Sequence, residues 1–71
     1  MNNWLSNIGC ISKTENEYSL LGRYKILVSG ISLTMIDSFD ENRIIDSQEI
    51  KNLEHFIIFI IEGLGNVKKW N

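Results

Sequence analysis

The sequence predicts an α+β domain: a small antiparallel β-sheet over residues 18–45, packed by one α-helix over residues 47–64, after a short helical N-terminal segment. Three observations carry this. Between Tyr18 and Phe39 strand-favouring residues dominate, and Ile31, Leu33 and Met35 alternate with Ser32, Thr34 and Ile36 at the two-residue period of a half-buried strand. Asp46-Ser47-Gln48-Glu49 has the form of a capping box with Asp in place of Ser or Thr, which opens a helix. Ile50, Leu53, Phe56, Ile57, Ile60, Ile61 and Leu64 then form one broad apolar stripe at helical spacing.

Taken in order, Asn2 or Asn3 is suited to cap an N-terminal helix carrying Trp4, Leu5, Ile8 and Ile11 at i, i+1, i+4 and i+7. Gly9 weakens it, because glycine costs about 1 kcal/mol against alanine inside a helix. Lys13 to Glu17 is polar and reads as a loop. Gly22-Arg23 marks a hairpin turn, and Ser29-Gly30 marks either a second turn or a bulge in one long strand. Ser38 to Asn42 is a turn cluster, with Arg43-Ile44-Ile45 as a return strand that makes Thr34 to Ile45 a hairpin. Gly63 and Gly65 supply the stop of the C-terminal helix, Gly65-Asn66 being suited to a left-handed end.

The block Phe56-Ile57-Ile58-Phe59-Ile60-Ile61 leaves no polar face for more than a helical turn. With the stripe turned to the sheet, Ile58 and Phe59 fall beside the polar side formed by Lys51, Asn52, His55, Glu62 and Asn66. They then either form a contact for a partner or lie under the N-terminal helix. A strand over the block is the alternative, and being apolar on both faces it would be central.

At 71 residues this is one domain, and domains of this size bury only about 60% of the surface of the unfolded chain. One cysteine excludes an intrachain disulfide, and one histidine excludes the usual zinc sets, which leaves association as the available staple. The hydrophobic content of 44% and the charged content of 23% are those of an ordered soluble domain. The N-terminus lacks the features of a secretory signal. Ile8-Gly9-Cys10 is not a lipoprotein site, because Asn7 stands where an aliphatic residue is needed and no apolar run precedes it. The apolar block is far shorter than the roughly 20 residues of a membrane span, so a cytoplasmic location is expected.

No catalytic constellation is legible. His55 has no Ser or Cys at triad spacing, and Cys10 reads as a small apolar filler. A calcium loop fails in both registers, from Asp37 and from Asp40, and no glycine run opens a helix to cradle phosphate. Neither cofactor nor metal is expected. Lys68-Lys69-Trp70 is the one basic–aromatic pairing, and a net charge of −2 argues against direct nucleic-acid binding.

The acids do cluster. Asp37, Asp40, Glu41, Asp46, Glu49 and Glu54 face only Arg43 and Lys51 in that window, giving −4 against +2 for the rest of the chain. Such a face steers a basic partner, or serves as a solvated turn and the acidic first turn of a helix. The expected function is therefore a non-enzymatic protein-binding module. It would be a small bacterial or phage inhibitor, anti-CRISPR-like or immunity-type, acting on a nuclease or defence complex. Its contacts would be the acidic residues Asp37, Asp40, Glu41 and Asp46 and the apolar residues Ile58 and Phe59. The alternative is a structural subunit that homodimerises through the helix face.

Overall fold

The computed structural model describes residues 1–68, with side-chain surroundings described through Gly65. The chain runs α1 (Asn2–Asn7), β1 (Ile11–Thr14), β2 (Glu17–Leu20), β3 (Tyr24–Ser29), β4 (Ser32–Asp37), β5 (Arg43–Glu49) and α2 (Leu53–Lys68). The strands form one antiparallel sheet in the order β1-β2-β3-β4-β5, so every strand pairs with its neighbours in sequence. The two helices pack on one face of the sheet, giving the expected α+β architecture.

Local chemistry explains most of the joints. Gly9, at φ 95°, ends α1: its N–H donates to the Ser6 carbonyl, and the Cys10 N–H donates to Leu5. This is a Schellman end, and the buried Leu5 and Cys10 supply its apolar contact. Gly9 is thus the stop of α1 and lies outside its interior. Met1 caps the helix through its carbonyl, in place of the Asn side chains. The Ser29–Ser32 pair closes on Gly30 at φ 61° and Ile31, which settles the Ser29-Gly30 alternatives as a two-residue hairpin loop. At the β4–β5 turn both Glu41 and Asn42 adopt positive φ, and the Arg43 N–H donates to Asp40 O.

Three element boundaries differ from the sequence reading. Ile11–Thr14 is a strand paired with β2, where a loop is expected from Lys13 onward. Asp46 to Glu49 does not open the helix but continues β5, pairing Met35 with Asp46, Leu33 with Gln48 and Ser32 with Glu49. The Asp46 carboxylate accepts the N–H of Ser47 instead of reaching Glu49. The helix begins at Leu53, after Asn52, whose Oδ1 accepts the His55 N–H at 2.9 Å as a helix cap does. It also runs through Gly63 and Gly65 to Lys68. Residues 69–71 of the basic, Trp-tipped tail lie outside the described residues.

The core gathers Leu5, Tyr18, Leu20, Tyr24, Ile26, Leu33, Met35, Ile50, Phe56 and Phe59 between the sheet and the helices. The tilted Trp4 and Phe56 rings, 5.6 Å apart, join α1 to α2. On α2 the inward residues are Phe56, Phe59, Ile60, Gly63 and Leu64, at i, i+3, i+4, i+7 and i+8. The stripe expected from sequence is rotated from this one. Phe59, expected on the polar side, is only 2% exposed, while Ile57 and Ile61, expected inside, face outward.

The cause is Gly63. A Cβ there would lie 2.7 Å from the Met35 sulfur and 3.0 Å from its terminal methyl, so this is where the helix backbone meets the sheet. At Gly65, by contrast, a Cβ would meet nothing within 4 Å. Gly65→Ala should therefore stabilise the fold by about 0.5–1 kcal/mol, the glycine penalty of a helix interior. Gly63→Leu should destabilise it by about 1–3 kcal/mol through overpacking, and Gly63→Ala should gain less than Gly65→Ala. Urea unfolding of the three variants checks the order.

Candidate functional site

The outer face of α2 is the first candidate. Leu53, Ile57 and Ile61 stand one turn apart, with Ile58 beside them, and all four are substantially exposed, Ile61 at 64%. Glu54 and Glu62 lie on the same exposed side. Of the two apolar contact residues expected from sequence, Ile58 is at this surface, at 45% exposure, whereas Phe59 is packed in the core and absent from this face. Its burial goes with the helix rotation that Gly63 permits.

Beside this face, β5 and α2 enclose an open groove of about 480 Å³. Ser47, Gln48 and Glu49 form one wall, His55, Ile58 and Glu62 the other, with Lys51 at the connection between them and Phe59 contributing to the base. Sequence reasoning misses the groove because it places Asp46–Glu49 in the helix. The available signal is Asn52, a better-placed cap directly before the apolar run.

The acidic cluster does not form one face. Asp37 is 1% exposed and receives two hydrogen bonds from Arg23, Nε to Oδ1 at 3.0 Å and Nη2 to Oδ2 at 2.8 Å. It also accepts the Phe39 N–H. Asp37 is therefore a structural anchor and is removed from the contact set. Asp40 is exposed and pairs with Arg43 at 2.8 Å. Glu41 is exposed at the tip of the β4–β5 turn. Asp46 and Glu49 are carried away along β5, and Glu54 lies in the first turn of α2.

Burial raises the Cys10 thiol above its ordinary pKa, which disfavours the nucleophilic thiolate. Among the described residues no three His, Cys, Asp or Glu side chains are grouped to hold a metal ion, and no helix is long and apolar enough to cross a membrane. No buried side-chain N or O atom among them lacks a hydrogen-bond partner.

The Arg23–Asp37 pair ties the β2–β3 loop to the end of β4. Ser38 reinforces it, donating both its N–H and its hydroxyl to the Arg23 carbonyl, and the guanidinium lies 5.3 Å from the Tyr24 ring and 5.5 Å from Phe39. Hydrogen bonding from Arg23 holds the Asp37 carboxyl below the usual carboxylate range, against the opposing effect of burial, and the Phe39 N–H adds to the lowering. A depressed folded-state pKa contributes stability above the unfolded value, near 3.9, that is lost as pH falls through the folded one. Thermal melts should show wild type losing stability as pH drops below about 4–5. Asp37→Asn should lower Tm at pH 7 by roughly 5–10 °C and flatten that acid dependence.

No protein-family model matches the chain, and neither a curated protein nor a solved structure matches it.

Proposed function

We propose that this chain is a non-enzymatic protein-binding module, of the small inhibitor or immunity type, that works by occupying another protein's surface. One observation carries the reading: Leu53, Ile57, Ile58 and Ile61 stand exposed on successive turns of a single helix, although the fold has a core to bury them in. Single exposed apolar residues are ordinary, but a contiguous set on one rigid element is the usual form of a docking surface. Glu54 and Glu62 border the set, and Glu41 adds negative charge at one end of the sheet, so a partner with a basic rim around an apolar centre fits it.

The inhibitor class is supported by size, net charge and the want of a nucleophile–base pair, which is an argument from physical type. The same face also suits an assembly subunit. With two copies of α2 antiparallel about a twofold near Ile57, Leu53 of one helix meets Ile61 of the other.

Ile61→Lys separates these readings, because an outward residue is replaced without touching the core. Its urea midpoint should stay near wild type, within the roughly 0.5 kcal/mol typical of surface changes. For an inhibitor, light scattering gives a monomer for both proteins, and a protein captured from the host lysate by wild type is lost with the variant. A wild-type dimer that the variant splits assigns the face to self-assembly instead. A monomer for which Ile61→Lys changes no interaction removes the helix face from the function.

A further inference from the structure

The free edge of β5 forms one wall of the groove, and its backbone is oriented for pairing. Ser47 sits opposite Thr34, and their hydroxyls meet at 2.9 Å, the close approach of a non-hydrogen-bonded antiparallel pair. Further along the strand, the Ile50 N–H donates inward to the Ile31 carbonyl at 2.7 Å. Gln48, two residues before Ile50, is therefore also turned toward β4, while Ser47 and Glu49 direct their N–H and C=O groups away from it. Among the described residues no strand lies beyond β5.

The outward N–H of Ser47 already has a surrogate partner. The Asp46 Oδ1 accepts it at 2.9 Å, where the carbonyl of an added strand would otherwise stand, and Asp46 Oδ2 takes the Gln48 amide at 3.3 Å. The opposite sheet edge is built differently: β1 is four residues long and irregular between Ser12 and Thr14, features that discourage pairing. The seven-residue β5, with a groove alongside, is longer and has open space beside it.

We propose that this groove takes an extended peptide segment of a partner protein, added antiparallel or parallel to β5 as a sixth strand, in which Lys or Arg alternates with branched apolar residues. This rests on the protein-binding reading and supplies its mode. Strand addition draws affinity from main-chain hydrogen bonds and specificity from alternate side chains. The alternation fits the walls. Side chains on the helix side meet Ile58, with Glu62 beside it, and those on the outer side pass Glu49, so the groove presents two carboxylates against the single cation Lys51. Asp46 acts as a latch that must release Ser47 before the strand adds.

The probe is a fluorescein-labelled, N-acetylated Lys-Ile-Lys-Val-Lys-Ile-Lys amide, titrated by anisotropy against the full chain. Binding is expected, with amide exchange slowed at Ser47 and Glu49. The same peptide N-methylated at alternate amides keeps every side chain but cannot pair, and should bind about tenfold more weakly or worse. Replacing its lysines by glutamates should abolish binding. Asp46→Ala should tighten binding although it removes a negative charge. The proposal is overturned by an absence of binding, by equal affinity of the N-methylated peptide, by protection confined to α2, or by weakening on Asp46→Ala. Ile61→Lys lies outside the groove and should leave peptide binding intact. If the peptide fails while Ile61→Lys still disrupts a partner complex, the binding-module reading stands and strand addition falls.

Discussion

A helix approaches a sheet only as closely as its smallest inward side chain permits, and on α2 that residue is Gly63, seated against the Met35 thioether. This contact permits the rotation that α2 adopts about its axis. Phe56 and Phe59 then point into the core about one turn apart, and Trp4 closes over Phe56 from α1. The same rotation turns Ile57, Ile58 and Ile61 outward. Core and candidate docking surface are thus two results of a single packing constraint, since a helix with apolar residues on nearly every side has no polar face to decide its orientation.

The second organising contact is electrostatic. Asp37 is the one buried charged residue of the core among those described, and its bidentate partner Arg23 comes from a loop fourteen residues earlier. A fork–fork pair of this kind fixes geometry as well as charge, so it holds two turns at the same end of the sheet in register. It also reduces the outward negative charge suggested by the composition. Of the remaining carboxylates, Asp40 and Glu41 stay in the β4–β5 turn, Asp46 and Glu49 lie along β5 and Glu54 and Glu62 on α2, and only Glu49 and Glu62 line the groove.

The sheet is largely legible from sequence. Alternation at Ile31 to Ile36 and the glycine at position 22 report local physics, and β4 lies where the alternation puts it, whereas Ser29-Gly30 fits a turn or a bulge equally and only the pairing of Ser29 with Ser32 decides for the hairpin. The helix boundaries are less so, because Asp46-Ser47-Gln48-Glu49 satisfies a local capping pattern that pairing with β4 outweighs. Gly63 reads as a stop because glycine's commonest use near a helix end is to leave it. Its role here depends on Met35, twenty-eight positions away, and no local pattern contains that. Of the candidate contacts, Ile58, Asp40, Glu41 and Asp46 lie at or near the surface, whereas Asp37 and Phe59 are misjudged because burial is decided by partners distant in sequence.

The order of the strands has a kinetic side as well. Each pairs with the next across a loop of two to five residues, so the sheet can zip from hairpin to hairpin without closing a long loop. Such local connectivity favours rapid folding. The chain contains no proline, which removes the slow isomerisation phase that delays many small proteins. Closing the core still requires α2 to dock, and until it does the face of β4 that carries Leu33 and Met35 stays wet. Docking of α2 therefore closes the core and, in the same step, lays out the exposed row of Leu53, Ile57, Ile58 and Ile61.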